Sequence, residues 1–285
     1  MLPAREAAEM LLIYSSVVFD DMNEITPIEW KRKAEGFVYN MERLLGIKQG
    51  SISDIIKYIK ENTASELEVF IHGALCVCYS GQCYMSSMIG SRSANRGLCA
   101  QSCRLPFSHR KNSNEHCLSL KDLCLANHID KIIDCGVTSL KIEGRMKTAL
   151  YVASVARTYR QAIDDYFVSE ELYRQNIPYY KEEIAKCTYR KFMTGFYFGK
   201  TNDESQIYDN NTYVKEYTYL GLIQGKNEKG LYEIEQRNKF CVGDTIEVMK
   251  PNGDNISVQV QAIEDEDGNS MENCPHPKQK IFIDL

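Results

Sequence analysis

The chain has 285 residues, of which 44% are hydrophobic and 26% are charged, and this composition excludes a disordered or fibrous protein. Its formal net charge of −5 excludes a generally basic nucleic-acid coat protein. No apolar stretch approaches the ~20 residues of a membrane helix, and no cationic segment followed by an apolar run marks an export signal. We therefore expect a cytoplasmic protein that has no membrane partner.

The first two-thirds of the sequence alternates between helical and extended patterns. Residues 1–50 form an unassigned segment with amphipathic helical patterns at 4–14 and 28–45. Residues 51–185 then predict a helix capped by Ser51 or Ser53, a strand at 67–71, a helix at 118–134 capped by Ser119, and a strand at 138–142. Thr148 caps the next predicted helix, whose apolar face is Val152, Ala156, Tyr159, Ile163 and Phe167. Short buried strands that alternate with helices are typical of a parallel α/β sheet or barrel.

The last third predicts an all-β domain at residues 206–285, preceded by a linker at 186–205. Residues rich in Tyr, Val, Ile and Thr form five short runs, at 213–222, 231–235, 244–249, 256–262 and 280–283. Turn signals such as Gly225-Lys226-Asn227 and Asn252-Gly253-Asp254 separate these runs. Strands with this spacing predict a small antiparallel barrel or sandwich.

The distribution of the eleven cysteines indicates a metal or cluster site. A disulfide framework is disfavoured, because cytosolic thiols stay reduced and the number of cysteines is odd. Thiolates gathered from separate loops suit an iron–sulfur cluster or a four-cysteine zinc site, although the zinc-ribbon pattern Cys-x-x-Cys does not occur. Five of the cysteines fall close together in the sequence: Cys76, Cys78, Cys83, Cys99 and Cys103.

The same segment is unusual in charge. No Asp or Glu occurs between Glu68 and Glu115, whereas five cationic residues do. Such a field favours thiolates and anionic ligands, and the alternative is a solvated basic loop. The cationic residues are Arg92, Arg96, Arg104, Arg110 and Lys111.

Several motifs of this sequence resemble peptidase family U32, the collagenase-like peptidases. The resemblance is carried by the stretch from Glu68 to Ser86, which includes Gly73-Ala74 and Gly81-Gln-Cys83-Tyr-Met-Ser86. The stretches 90–97, 99–104, 141–147, 194–199, 235–240 and 275–277 also resemble that family. The resemblance covers roughly residues 51–285. It implies an α/β plus all-β fold, in which a partial TIM-barrel-like (β/α) domain precedes a small antiparallel β-barrel domain.

The branch of the family with this C-terminal domain resembles tRNA hydroxylation proteins. The resemblance implies 5-hydroxylation of the wobble uridine, a tRNA partner, a [4Fe–4S] cluster and prephenate as a possible co-substrate. Carried over by motif, the cluster ligands are Cys76, Cys83, Cys99 and Cys124, with Cys103 as the runner-up for the fourth. The family name implies a competing activity, a cysteine peptidase in which His72 would serve Cys76.

Candidate catalytic residues lie where predicted strands end, as in barrel enzymes. His72 ends the strand at 67–71, and it is either a substrate contact or a hydrogen-bonded structural residue. Lys141, Glu143 and Arg145 follow the strand at 138–142, where Glu143 suits proton transfer and Arg145 suits a carboxylate or phosphate. The alternative for these three is a structural ion pair.

Substrate contacts are also expected on both domains. Arg92 and Arg96 are candidates for binding an anion, although they are equally compatible with solvated surface positions. In the C-terminal domain, aromatic and basic residues either bind RNA or belong to the core. These residues are Tyr213, Tyr217, Tyr219, Arg237 and Lys239.

The part of the chain before the family motifs is too short for a complete barrel. A (β/α)₈ barrel needs about 250 residues, and the resemblance begins only near residue 51. We therefore expect an incomplete barrel whose open edges are covered by residues 1–50, a partner chain or a second copy. A truncated, non-catalytic RNA-binding remnant is the third functional alternative.

Overall fold

The computed structural model describes residues 51–78, 83–109, 112–144, 147–199, 201–208, 213–251 and 254–285. The two helical patterns expected within residues 1–50 lie outside the described residues, and so does Arg145.

Five α-helices are present in the described residues. Two predicted N-caps are confirmed: the Ser51 side chain accepts a hydrogen bond from the Asp54 amide, and the Thr148 side chain accepts one from the Tyr151 amide. Each cap pairs an otherwise unsatisfied amide of the first helical turn. The helices are α1 Ile52–Asn62, α2 Met85–Gly90, α3 Ile129–Asp134, α4 Ala149–Val168 and α5 Glu170–Ala185.

The first region is built on a four-stranded mixed sheet. Its strands are β1 Glu68–Gly73, β4 Asp122–Cys124, β5 Ser139–Ile142 and β6 Phe192–Met193, in the order β5-β1-β4-β6. Strand β1 is parallel to β5 but antiparallel to β4, and β4 is parallel to β6. A separate hairpin pairs β2 Phe107–His109 with β3 Asn112–Glu115.

This sheet does not confirm the TIM-barrel-like prediction. In the described residues it is four strands wide and mixed, whereas a TIM barrel closes eight parallel strands. The physical reason lies in the connection from β1 to β4, whose described residues form the short helix α2, two 3₁₀ turns and the β2–β3 hairpin but no long crossover helix. A parallel neighbour would need a crossover connection, usually a helix.

Two local predictions are wrong in this region. The helix predicted at 118–134 is helical only over α3, because Leu123 is 3% exposed in β4 and pairs with Gly73 of β1. Ser119 is no cap; its Oγ accepts a hydrogen bond from Arg104. The apolar face of α4 is also misplaced, since Val152 and Phe167 are 41% and 71% exposed. The buried α4 residues include Tyr151, Val155, Tyr159 and Ala162.

The C-terminal region is all-β, as expected, but no closed barrel forms in its described residues. Seven strands, β7 to β13 in chain order with the ranges given below, form two sheets in the described residues. Five of them make an antiparallel sheet in the order β12-β11-β13-β8-β7, and β9 pairs with β10 in a second sheet. Residues 213–220 lie before the first strand, and Gly225 and Lys226 belong to that strand rather than to a turn. The strands are β7 Gly221–Lys226, β8 Tyr232–Gln236, β9 Thr245–Val248, β10 Ile256–Gln259, β11 Ile263–Glu264, β12 Ser270–Met271 and β13 Lys280–Ile283.

Polar contacts connect the two regions. Arg157 of α4 binds Glu183 of α5 at 2.5 Å and Asn255 Oδ1 at 2.8 Å. Lys186 binds both Glu183 at 2.6 Å and Glu247 of β9 at 2.5 Å. The expected linker at 186–205 contains β6, which pairs with β4. The described helices include none with the length and apolarity to cross a bilayer.

Candidate functional site

The site begins where β1 ends at Gly73. The backbone there has φ +123°, and a Cβ on this residue would lie 2.6 Å from the Glu143 carbonyl oxygen. The Glu143 amide donates to the His72 carbonyl at 2.8 Å, which holds the ends of β1 and β5 together. Only glycine fits such a close approach in this conformation. The chain then leaves the sheet and enters the cysteine-bearing segment.

Arg104 fastens the far end of that segment to its beginning. Its guanidinium is almost fully buried and donates to the Leu75 carbonyl at 3.0 Å, to Ser119 Oγ at 3.1 Å and to the Leu120 carbonyl. Because Leu75 precedes Cys76 and Arg104 follows Cys103, the bond to Leu75 keeps the backbones of the two cysteines within reach of one arginine side chain. A buried guanidinium that is fully hydrogen-bonded in this way is a structural clamp.

Four cysteines of the segment are considered together, and we call them the thiol group: Cys76, Cys83, Cys99 and Cys103. Burial raises the pKa of Cys103, and Arg104 beside it lowers that pKa. The nearby charges of Cys76, Cys99 and Cys83 then raise the pKa of Cys103 again. All three thiols therefore lie within electrostatic range of Cys103.

Backbone amides point at two of these sulfurs. The Cys78 amide donates to Cys76 Sγ at 3.4 Å, and the Gln101 amide donates to Cys99 Sγ at 3.3 Å. Ser86 is buried, accepts a bond from the Ala100 amide at 3.0 Å and donates to Cys99 Sγ at 4.0 Å. Hydrogen bonds to sulfur stabilise thiolates and set the potentials of iron–sulfur clusters.

A cluster and a single metal ion require different separations between the sulfurs of the thiol group. Within the described stretches, no three His, Cys, Asp or Glu side chains approach closely enough to hold one metal ion. A four-cysteine zinc site would bring every sulfur to about 2.3 Å from one ion. In a [4Fe–4S] cluster each thiolate binds a different iron, so the sulfurs stand farther apart. The carboxylate-free surroundings also favour an anionic thiolate cluster.

Cys124 lies in a different environment from the thiol group. It is in β4, opposite His72, and its Sγ lies 3.8 Å from Tyr159 Oη. Burial raises its pKa, and the Ala126 amide, Tyr159 and Lys181 lower it. The charges of the other three thiols therefore act on the pKa of Cys103, whereas the groups that lower the pKa of Cys124 are the Ala126 amide, Tyr159 and Lys181.

His72 is enclosed by aromatic rings. It is 1% exposed, and its ring lies 5.8 Å from Tyr151, 5.5 Å from Tyr159 and 5.7 Å from Phe192. Its Nδ1 is 3.3 Å from Tyr159 Oη. Burial, assisted by the charge of Lys147, lowers the pKa of His72 to about 3. The imidazole is therefore neutral at physiological pH.

Charged residues that the sequence did not single out surround the same place. Lys147 lies over the rings of Tyr151 and Tyr213, 4.7 Å and 4.8 Å from their centroids. Arg190 is 2% exposed, lies 4.2 Å from the Tyr213 centroid, and has its Nη1 3.7 Å from Asp122 Oδ1. Lys147 ends the family stretch at 141–147, which was the available signal, whereas Asp122 lies outside the family stretches. No sequence motif pointed to Arg190, because it reaches Asp122 only through the pairing of β6 with β4.

The other candidate residues are dispersed. Lys141 is exposed, binds Glu68 at 2.7 Å and lies 5.2 Å from the Phe70 centroid, which supports the ion-pair alternative. Glu143 is half-buried, and its charge helps to raise the pKa of Tyr151, an effect dominated by burial. Arg92 and Arg96 are both exposed on the cysteine-bearing segment. Arg145 is outside the described residues.

The predicted RNA contacts of the C-terminal domain differ in their partners and in their exposure. Tyr213 packs on Arg190 of the first region. Arg237 forms an ion pair with Glu235, whereas Lys239 and Tyr217 are exposed. Tyr219 is half-buried.

Comparison with known proteins identifies relatives that match parts of this chain. "tRNA hydroxylation protein P1" of Bacillus subtilis is 36% identical over 81% of this chain and 57% of its own length. "Collagenase" of Porphyromonas gingivalis is 33% identical over 69% of this chain and 56% of its own length. "23S rRNA 5-hydroxycytidine C2501 synthase" of Escherichia coli is 46% identical over 39% of this chain and 18% of its own length. The chain thus spans little more than half the length of the first two relatives.

A solved C-terminal domain of a U32 peptidase from Geobacillus thermoleovorans also matches, with 32% identity and a TM-score of 0.22 over 24% of this chain and 76% of that one. The sequence model "Peptidase family U32" matches residues 50–207, and "Peptidase family U32 C-terminal domain" matches residues 215–285. Because the first of these models alone spans more than half of the chain, the protein belongs to peptidase family U32.

Proposed function

We propose that this protein is an RNA-modifying enzyme that hydroxylates carbon five of the wobble uridine of tRNA, with a [4Fe–4S] cluster as cofactor and prephenate as co-substrate. The observation that carries the proposal is a basic, carboxylate-free segment in which Cys76, Cys83 and Cys99 lie within electrostatic range of Cys103. The names of the Bacillus and Escherichia relatives, which concern hydroxylation of tRNA and rRNA, support the same reaction class.

The proposed cluster ligands are the four cysteines of the thiol group. When bound, the cluster would supply one-electron transfer for oxidation of the base. The amides of Cys78 and Gln101 would then hold the charge of the ligating sulfurs through their hydrogen bonds. Arg104 fixes the separation between the Cys76 and Cys103 backbones by its bond to the Leu75 carbonyl.

The proposed RNA-binding surface is the first region rather than the C-terminal one. Residues 215–285 contain eight Lys and Arg but thirteen Asp and Glu, so this region repels phosphates. Residues 69–114 contain five cations and no carboxylate, and Arg92 and Arg96 are exposed there. Phosphate contacts position an RNA, so these arginines would bring the target base to the thiol group.

Iron and acid-labile sulfide content after anaerobic isolation tests the cofactor. We expect a brown protein with about four irons per chain, and loss of most of that iron in Cys76→Ser and Cys103→Ser. Cys241→Ser is the matched control, because this half-buried cysteine lies in the C-terminal region, and its iron content should equal that of the unmodified chain. Retention of iron in Cys103→Ser with loss in Cys124→Ser would assign the fourth ligand to Cys124 instead. A colourless protein that binds zinc would contradict the proposal.

Nucleoside analysis of tRNA tests the reaction. In a Bacillus subtilis strain that lacks tRNA hydroxylation protein P1 and has lost hydroxylated wobble uridine, this chain should restore the modified nucleoside and Cys83→Ser should not. A strain that also lacks prephenate should fail to regain the nucleoside with either chain. Restoration by Cys83→Ser would contradict a role for the cluster.

The geometry does not favour the peptidase alternative. A cysteine peptidase needs a histidine hydrogen-bonded to its thiol. His72 Nδ1 contacts Tyr159, and its Nε2 has no hydrogen-bond partner, so it does not form this bond with Cys76.

A further inference from the structure

The family stretch at 194–199 forms a turn that exposes two aromatic rings. Phe196 is 56% exposed and Phe198 is 39% exposed, whereas Tyr197 between them is 5% exposed. The buried Tyr197 belongs to the core of the first region, and its Oη donates to the Phe70 carbonyl at 2.5 Å. One of the three rings therefore anchors the turn, and the other two are accessible to a ligand.

Helix α1 fixes the backbone of this turn. The first two amides of a helix have no partner within it, and here they donate to the turn. The Ile52 amide donates to the Phe196 carbonyl at 3.1 Å, and the Ser53 amide donates to the Tyr197 carbonyl at 3.3 Å. Ser53 Oγ adds a bond to the Tyr197 carbonyl at 2.9 Å. The turn that carries the exposed rings is therefore held before a ligand arrives, which lowers the entropic cost of binding.

Cationic side chains adjoin the exposed rings. Lys131 Nζ lies 5.0 Å from the centroid of Phe198, and the His128 ring lies 4.6 Å from the same centroid. Lys181 is close enough to lower the pKa of His128, an effect led by burial. Lys131 and Lys181 are both exposed, so an anion in solvent can reach them.

The two carboxylates of helix α3, which carries Lys131, already have partners. Asp130 is 9% exposed, and its Oδ2 lies 3.8 Å from Arg174 Nη2. The exposed Asp134 accepts a hydrogen bond from Tyr166 Oη at 2.6 Å. Lysine charge is therefore available to an anion beside the two rings.

The turn lies next to the start of the cysteine-bearing segment. A Cβ on Gly195 would lie 3.7 Å from Leu75 Cδ1, and Leu75 directly precedes Cys76. Burial raises the pKa of Cys124, and Lys181 is among the groups that lower it. A ligand bound on this turn would therefore lie beside the segment that we propose to carry the cofactor.

We propose that Phe196, Phe198 and Lys131 form a binding site for an unpaired nucleotide of RNA. The base stacks on an exposed phenylalanine ring, and Lys131 pairs with a phosphate. Stacking on a side chain requires a base that is not enclosed in a duplex, and it accepts any base because each has a π face. This site rests on the proposed function, which makes RNA the substrate, and it adds the place where unpaired nucleotides beside the target bind.

Fluorescence anisotropy of the full chain with a single-stranded oligouridylate and with an RNA duplex of equal length tests this site. Phe196→Leu keeps an apolar side chain but removes the ring face. We therefore expect it to bind the single strand about tenfold more weakly and the duplex with less than about a twofold change. Phe196→Tyr keeps the ring, and its affinity for the single strand should stay within about twofold of that of the unmodified chain. Lys131→Met should weaken binding of both RNAs and reduce the dependence on salt.

Phe167→Leu is the matched control, because Phe167 is a 71% exposed phenylalanine near the end of α4 in the same region, and its affinity for both RNAs should be unchanged. Circular dichroism confirms that the variants are folded. Equal affinity for the single strand in Phe196→Leu and Phe167→Leu would overturn the site, and so would equal losses for the single strand and the duplex.

Sedimentation velocity distinguishes RNA from a second copy of this chain as the occupant. A dimer that Phe196→Leu dissociates would show that a second copy covers the rings, and it would overturn the proposal. The proposed function fails separately, by absence of iron or of restored tRNA nucleoside with the unmodified chain, neither of which the binding assay measures. Phe196→Leu should retain the iron content of the unmodified chain, because Phe196 is outside the thiol group.

Discussion

The two regions of this protein differ in their content of charged residues and in the hydrogen bonding of their buried polar groups. The stretch from residue 69 to residue 114 has no carboxylate, whereas residues 215–285 have thirteen against eight cations. Among the described residues, six buried polar side-chain atoms lack hydrogen-bond partners, and five of them belong to the first region. Unpaired polar groups and an unbalanced field are features of binding sites, while an acidic sheet with few unpaired polar groups is typical of a scaffold. Chemistry is therefore expected in the first region alone.

The largest expected difference concerns the rates at which the cysteines react. Cys76 and Cys99 are exposed, whereas Cys187 and Cys274 are buried in different cores, and burial raises the pKa of both buried thiols. Because alkylation requires an accessible thiolate, iodoacetamide should modify the exposed pair about 10³-fold faster in the reduced, iron-free protein. Mass spectrometry of digests measures the rates. Urea-unfolded chain is the control, in which all four should react alike, and equal rates in the folded protein would remove the distinction.

Glycine substitutions compare the two regions in stability. Gly73→Ala places a Cβ 2.6 Å from the Glu143 carbonyl at φ +123°, so we expect it to lower the free energy of unfolding by about 3 kcal/mol. Gly230→Ala is the matched control in the C-terminal region, because Gly230 has φ +84° with no atom within 4 Å. It should cost only about 1 kcal/mol. Urea unfolding measures both, and equal losses would contradict the tight junction of β1 with Glu143.

Charge variants compare the regions in RNA binding. The double variant Arg92→Ala/Arg96→Ala should weaken binding of an anticodon stem-loop RNA about tenfold and should reduce its dependence on salt. Lys215→Ala/Lys239→Ala removes two exposed cations of the acidic region and should change affinity by less than about twofold. Fluorescence anisotropy at two salt concentrations gives both quantities. A larger loss in the control would move the RNA to the C-terminal region.

Sequence reasoning found those features that depend on neighbours along the chain. The caps Ser51 and Thr148 were predictable because each bonds an amide three residues ahead. The clustering of Cys76, Cys83 and Cys99 was visible for the same reason. Strand β4 was not, because its extended form depends on pairing with β1, about fifty residues earlier.

The contact between Arg190 and Asp122 escaped prediction for a related reason. Arg190 reaches Asp122 only through the parallel pairing of β6 with β4, in a stretch whose composition predicts a linker. The buried face of α4 was predicted at the wrong position. Periodicity gives the spacing of the apolar residues on a helix, whereas packing against the rest of the protein decides which face is buried.

The smallest expected effect concerns pH and His72. The pKa of this buried imidazole is about 3 when folded, below its ordinary value of 6.5, so between these values the unfolded chain binds a proton that the folded chain does not. Stability therefore rises with pH across this window and falls on acidification. From about pH 7.5 to about pH 5.5 the share due to His72 should be a loss of about 1 kcal/mol. In His72→Gln this share disappears, so urea unfolding should show a smaller loss over the same interval. If the loss is the same in both proteins, His72 titrates alike in both states, and its enclosure by Tyr151, Tyr159 and Phe192 would not hold in solution.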